Sequence, residues 1–274
     1  MPQRTVVITG ASDGIGRAAA RTLKQRGDDI VIVGRSEAKT KAVADELAVP
    51  YYLADYSRLS DVRTLATRLL ENHPRIDVLA NNAGGLLSAR EETEDGFEKT
   101  LQVNHLAPFL LTNLLLDRLQ HSKGVVINTA SIANSLYGKI DIDDLNLTKK
   151  YTPNHAYGNG KLANILFTRE LQKRYGSSGI EAAAFHPGIV RTSFAAGSSS
   201  NLRFVYRTVL GRLMMSPEKG SDTLVWLATT EPGVDWVPGE YYERRRIQKA
   251  TKQAYDEALA SRLWEASASM VGLD

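Results

Sequence analysis

Cysteine is absent from the 274 residues. That excludes a disulfide framework, thiolate catalysis and a cysteine-ligated metal, and no metal site is expected. Long apolar runs are also scarce. The longest, Leu106–Leu116, is interrupted by Thr112 and Asn113, so no membrane span is expected. Only four residues precede the first apolar strand, too few for a signal peptide, and a cytoplasmic protein is expected. Charge of one sign is missing as well: 34 Lys and Arg stand against 31 Asp and Glu, a net charge of +3. So small an excess does not argue for nucleic acid as a partner, and the one basic run, Arg244–Arg246, reads as a solvated loop. There is no repeat at a solenoid period and no linker; the one low-complexity patch is Ala195–Asn201. What remains is a chain with 43% hydrophobic residues, enough for one sizeable core, and a single domain over residues 1–274 is expected.

The chain is organised around residues 5–20. A β-branched run from Val6 to Ile8 reads as a buried strand that stops at Gly10. Gly14 and Gly16 follow, and Ile15, Ala18, Ala19 and Leu23 then recur at helical spacing. Strand, glycine turn and helix in that order open a dinucleotide-binding fold. Glycines let the backbone approach a pyrophosphate, and the N–H groups of the helix start point at it. A glycine-rich turn with no ligand is the plain alternative. The Thr-Gly-x-x-x-Gly-Ile-Gly turn of residues 9–16 resembles the short-chain dehydrogenase/reductase family. The resemblance implies an α/β single-domain Rossmann fold, a doubly wound, mostly parallel seven-stranded sheet flanked by helices. It sets Gly10, Ser12, Asp13, Gly14, Ile15 and Gly16 against the cofactor.

Asp29–Val33 reads as the second strand, followed by Gly34, Arg35 and Ser36. NAD-selective sites carry a carboxylate at this place to hold the ribose 2′-OH. Here it is missing, and Asp28 and Asp29 stand at the wrong end of the strand. An arginine without a competing carboxylate suits a 2′-phosphate, so Arg35 points to NADP(H) over NAD(H); the alternative is a merely exposed arginine. Val49–Leu53 is a third strand, ending in Ala54-Asp55-Tyr56. Val62, Leu65, Ala66, Leu69 and Leu70 form an amphipathic helix that Pro74 closes. Ile76–Ala80 is a fourth strand, running into Asn81-Asn82-Ala83-Gly84, a second match to the family. The resemblance implies that Asp55 meets the adenine edge with Tyr56 beside it, and that Asn82, Ala83 and Gly84 shape the cofactor floor. Asp55 by itself could equally form a turn.

A helix over roughly Asp95–Leu119 contains Pro108, which lacks an N–H. The helical bond back to the Asn104 carbonyl therefore cannot form, and a freed buried carbonyl needs another partner. In the resembled family, an asparagine on this helix offers its main-chain carbonyl to a water in the proton relay. His105 is read as a packed or surface histidine with no catalytic role. Gly124–Ala130 is the fifth strand, with Ser131 just past its end. Tyr157 and Lys161 are four apart on a helix that carries Leu162, Ile165 and Leu166, so they share a face. A phenol ordinarily titrates near 10, and a nearby ammonium and a cationic nicotinamide would lower that. Tyr157 can then exchange a proton with an alcohol or carbonyl while hydride moves. The resemblance implies that Ser131 holds the substrate oxygen, and that Lys161 holds the nicotinamide ribose and connects through water to Asn104. Gly160 stands where many members have serine.

Ile180–Phe185 is the sixth strand, and His186 precedes a Pro187-Gly188 turn. The resemblance places Pro187, Gly188 and Val190 along the nicotinamide carboxamide, with the Thr192 hydroxyl near amide or phosphate. Ser216 and Pro217 start a further helix as cap and first residue. Gly239–Tyr242 is a last strand, and Tyr255, Leu259, Leu263 and Ala266 mark a closing amphipathic helix. Two long segments, Ile132–His155 and Ser193–Met215, are placed to build the substrate pocket. In the second, the Leu202, Val205, Val209 and Leu213 stripe either packs on the core or closes as a lid over an apolar substrate, with Phe204 and Tyr206 as walls. Gln102–Thr112, Lys161–Gly176, Ser216–Gly220 and the long interval from Ser131 to Tyr157 resemble the retinol-dehydrogenase-like group. The expected function is an NADP(H)-dependent oxidoreductase acting on a small hydrophobic alcohol or carbonyl. Its rival is a non-catalytic NADP-binding redox sensor, which would be expected to lose Tyr157 or Lys161. A homodimer or homotetramer through exposed helix faces is the family default, and the closing helix could block it.

Overall fold

Strand β1 (Thr5–Thr9) sends Val6 and Ile8 to one face and Val7 to the other, because successive side chains alternate across a strand. All three are buried, as in a sheet covered on both sides. The computed structural model describes residues 3–188 and 215–273. Around β1 stand β2 (Asp29–Gly34), β3 (Tyr51–Leu53), β4 (Val78–Asn81), β5 (Val125–Thr129), β6 (Glu181–Phe185), β7 (Tyr241–Glu243) and β8 (Arg246–Ile247). Their order is β3-β2-β1-β4-β5-β6-β7-β8. The sequence of strands reverses direction between β1 and β4, the place where such sheets bind ligands. Every pairing is parallel except β7 with β8. Among the described residues the sheet thus has eight strands rather than the expected seven. The added one arises where the basic run folds back on β7 across Arg244 and Arg245, at φ 50° and 60°. Two residues at positive φ give a hairpin turn whose twist suits the strands it joins. The run expected as a solvated loop is a turn and an edge strand.

One face of the sheet is covered by α1 (Gly14–Gln25), α2 (Glu37–Leu47) and α9 (Pro217–Thr229), through Ala19, Leu23, Val43, Leu224 and Leu227. On the other face lie α3 (Leu59–Asn72) and α8 (Pro153–Tyr175), with α10 (Glu257–Met270) outside α8. The helix expected over residues 95–119 is broken into pieces. Glu98 caps α4 (Lys99–Leu101) by accepting from the N–H groups of Thr100 and Leu101. A five-residue π turn, Gln102–Leu106, follows, and then α5 (Ala107–Leu114) and α6 (Leu116–Ser122). The wide turn sits directly ahead of Pro108, where the ordinary i→i−4 ladder loses a donor. A short helix, α7 (Ala133–Tyr137), lies between β5 and α8. Among the described residues no helix is long and apolar enough to cross a membrane.

Candidate active site

The nucleotide end is built from two loops tied through one hydroxyl. Thr9 Oγ1 accepts from the N–H groups of Asn82 and Ala83, each at 3.0 Å, and donates to the Ala80 carbonyl at 3.2 Å. Asn82 Nδ2 donates back to the carbonyls of Thr9 and Gly10 at 3.0 and 3.2 Å. A Cβ on Gly10 (φ +63°) would lie 2.8 Å from Ala83 Cα, and one on Gly16 only 2.6 Å from Asn82 Nδ2. The glycines are therefore required by the approach of the β4 loop, and together they leave a cradle that side chains would fill. Asp13 accepts from Gly14 N–H at 2.7 Å as the cap of α1. The N–H groups of Ile15 and Gly16 remain in the first turn, where no intrahelical acceptor exists. Thr9 was not among the expected site residues; its signal was a threonine next to the first motif glycine.

At the end of β2, a Cβ on Gly34 would overlap Thr40 Oγ1 and lie 3.1 Å from Ser12 Cβ. No carboxylate-bearing side chain fits there. Arg35 is exposed, and among the described residues no hydrogen bond or ion pair engages its side chain. Asp55 is held as a turn former: its Oδ1 accepts from Ser57 N–H at 3.0 Å and Ser57 Oγ at 2.8 Å. Tyr56, expected at the cofactor, has a buried side chain whose hydroxyl sits beside Thr9. Burial pushes that hydroxyl above its ordinary value, and the ring belongs to the core under the glycine turn.

The catalytic end converges on Gly84. A Cβ there would lie 2.6 Å from Asn104 Oδ1 and 3.2 Å from Lys161 Nζ. Asn104, in the π turn, latches the adjacent Gly85 twice: its Oδ1 accepts from Gly85 N–H at 3.1 Å and its Nδ2 donates to Gly85 O at 2.9 Å. The turn itself closes with Ala107 N–H on the Gln102 carbonyl, five residues back. Gly160 packs against this asparagine, since a Cβ would stand 3.1 Å from Asn104 Cβ. Lys161 is 2% exposed. Its Nζ donates to the Thr129 carbonyl at 3.2 Å and lies 5.4 Å from the Tyr157 ring centre. Burial alone pulls the amine down to about 7. Tyr157 is half-buried on the first turns of α8, one residue before Gly158, which abuts Tyr137 at the end of α7. Ser131 lies two residues past Thr129, and its Oγ accepts from Ala133 N–H at 3.2 Å.

His105 is fully packed, its ring 5.9 and 6.1 Å from those of Phe109 and Phe167. Burial lowers it to about 4. His186 is also buried, which lowers its pKa in the same direction, and it accepts from Gly188 N–H at 3.3 Å through Nδ1. This bond and the positive φ of Gly188 (+82°) set the turn that Pro187 begins. Val190, Thr192, the Ala195–Asn201 patch, Phe204, Tyr206 and the expected lid up to residue 214 lie outside the described residues.

Comparisons with known proteins agree with this geometry. A family model described as short chain dehydrogenase matches residues 4–203. The chain is 43% identical over 279 residues to a Streptomyces sp. (strain C5) protein assigned as a daunorubicin C-13 ketoreductase, covering 99% of this chain and 94% of that protein. It is 39% identical over 287 residues to Homo sapiens retinol dehydrogenase 13, covering 100% and 86%. The crystal structure of an uncharacterised protein from Mycobacterium paratuberculosis matches with a TM-score of 0.80 at 33% identity, covering 98% and 94%.

Proposed function

The chain belongs to the short-chain dehydrogenase family, in its retinol-dehydrogenase-like group, and on that premise we propose an NADP(H)-dependent oxidoreductase that interconverts a hydrophobic alcohol and its aldehyde or ketone. The observation that carries the proposal is the meeting of Gly84, Asn104 and Lys161 within about one side-chain width, with Tyr157 on the same helix face. The bound nicotinamide would accept or supply the hydride. In the oxidising direction Tyr157 takes the hydroxyl proton of the alcohol; in the reducing direction it returns one to the carbonyl oxygen. Ser131 holds that oxygen. Lys161 holds the nicotinamide ribose and favours the phenolate whenever it is charged.

The cradle of Gly10, Ser12, Asp13, Gly14, Ile15 and Gly16 takes the pyrophosphate. Asn82, Ala83 and Gly84 form the floor, Asp55 meets the adenine, and Pro187 and Gly188 lie along the carboxamide. Arg35 receives the 2′-phosphate, because Gly34 leaves no room for a rival carboxylate. The names of the two relatives, a ketoreductase and a retinol dehydrogenase, support alcohol–carbonyl chemistry. A cytoplasmic setting and a single domain belong to the same proposal and rest on composition. A sensor without turnover has no use for Tyr157 and Lys161 side by side. The test is NADPH mixed with the protein and a panel of apolar aldehydes and ketones, followed at 340 nm. Stoichiometric NADPH binding with no loss of absorbance across the panel would favour the sensor.

A further inference from the structure

A buried polar line runs from the closing helix to Lys161, and nothing in the proposed reaction uses it. The Thr129 carbonyl takes two donors, Lys161 Nζ at 3.2 Å and Asn164 Nδ2 at 3.1 Å. A carbonyl offers two lone pairs, one for each donor, and a bond on one draws electron density away from the other and weakens it. Asn164 is 4% exposed, and its Oδ1 is buried without a hydrogen-bond partner among the described residues. Its polar neighbour is His105 in the π turn, where Nδ1 is likewise buried and unpartnered. The other ring nitrogen, Nε2, lies 2.9 Å from Ser267 Oγ on α10.

The directions of these bonds follow from one another. The His105 ring is neutral and carries a single N–H. With Ser267 donating to Nε2, that N–H is on Nδ1, on the side of Asn164, and the two side chains stop short of a hydrogen bond. The Asn164 amide is then fixed as well, since turning it over would set its oxygen against the Thr129 oxygen. Thr168 Oγ1, donating to the Asn164 carbonyl at 2.7 Å, holds the backbone beneath it. In that tautomer the Ser267 hydroxyl and the His105 N–H both point toward Asn164, whose Nδ2 donates to Thr129.

We propose that His105 and Asn164 are positioning residues for Lys161: they keep the Thr129 carbonyl partly engaged and so control how firmly it grips the amine. The titratable groups near the amine are Tyr157 on its own helix and, behind Thr129, the neutral His105; no charged side chain acts on it among the described residues. Removing the Asn164 donor leaves the carbonyl wholly to Lys161, which favours the ammonium. The catalytic consequence rests on the proposed function, whereas the amine's titration does not.

The experiment is NMR on cofactor-free protein labelled with 15N-lysine, following Lys161 Nζ against pH and assigning it by its loss in Lys161→Met. In Asn164→Leu the midpoint should rise by about half to one pH unit, the size of one redistributed hydrogen bond. His105→Phe keeps the aromatic packing and should shift it the same way. The double variant should add little, as expected for links of one chain. Where a substrate is in hand, the pH profile of kcat/KM should move with the amine. Should Asn164→Leu fail to fold, His105→Phe and Ser267→Ala carry the same test. A wild-type midpoint in the folded variants, whatever their thermal stability, overturns the proposal. A shifted midpoint in a protein that turns over no carbonyl supports the positioning pair and counts against the reaction.

Discussion

At the scale of single residues, the site stores a conflict in Lys161. The amine titrates near 10.5 in an unfolded chain and at about 7 in the folded one, because burial disfavours the charge. Between those values the unfolded state holds the extra proton, so the folded state gains stability as pH rises from about 7 toward 10. Below that window both states are charged and the full cost of burial is felt. Lys161→Met should therefore make the cofactor-free protein more stable at pH 7, by up to ~5 kcal/mol. It should also flatten the rise of thermal stability between pH 7 and 10 and abolish turnover. Parallel pH dependences in variant and wild type would contradict the assignment. Tyr157→Phe tests the partner: turnover should fall by at least ~10²-fold, the low end for a general acid or base, with NADPH affinity nearly unchanged. Activity retained on a good substrate would remove Tyr157 from the reaction. Arg35 makes a third case. In Arg35→Ala, fluorescence titration should show NADPH bound more weakly and NADH unaffected. High salt should narrow the gap between the two cofactors in the wild type. Equal affinities in the wild type would argue against a 2′-phosphate contact.

At the scale of elements, the site depends on the β4 loop, the π turn and α8 meeting without a spare atom. Gly84→Ala puts a methyl 2.6 Å from Asn104 Oδ1 and 3.2 Å from Lys161 Nζ. The Asn104 latch on Gly85 must give way or the lysine must move. Cofactor affinity and turnover should both drop by an order of magnitude or more, while Gly85→Ala, whose Cβ meets nothing within 4 Å among the described residues, should cost far less. Equal behaviour of the two would show that the crowding has no consequence. These elements differ in how far the sequence reveals them. The glycine turn and the Tyr157–Lys161 spacing are local signals and could be read directly. The missing N–H of Pro108 pointed to a disturbed helix at Asn104, though not to a π turn or to pieces divided at Leu115. The Thr9 tie depends on β1 lying beside β4, some 70 residues later in the chain, which no local pattern states. The β7–β8 hairpin was hidden because arginines occupy a turn that glycine or asparagine ordinarily announces. Asp55 fits its plain alternative as a turn former, and Tyr56 went to the core because a tyrosine after a strand reads alike in either place.

At the scale of the whole molecule, the closing helix decides what α5 and α8 can do. Trp264 on α10 stands edge-on to Phe109 of α5 at 5.0 Å and lies 5.6 and 6.0 Å from Phe167 and Tyr175 of α8. The Arg174 guanidinium lies over it, 4.9 Å from the ring centre. Leu259 and Leu263 extend the contact to Leu162 and Leu166. Arg63 of α3 pins the end of the helix by donating to the Val271 carbonyl. The apolar faces of α5 and α8 at this contact are thus already covered by the chain's own helix. The expected outcome is a monomer by sedimentation at micromolar concentration, in place of the dimer or tetramer that the family resemblance suggests. A dimer whose α5 and α8 amides gain hydrogen-exchange protection over the monomer would contradict it. Trp264→Ala probes the same surface from the other side. Losing a buried aromatic should cost about 3–5 kcal/mol, and the exposed patch should make the variant self-associate as concentration rises. If the variant is destabilised yet stays monomeric at every concentration, α10 is a stabilising brace and does not mask an association surface.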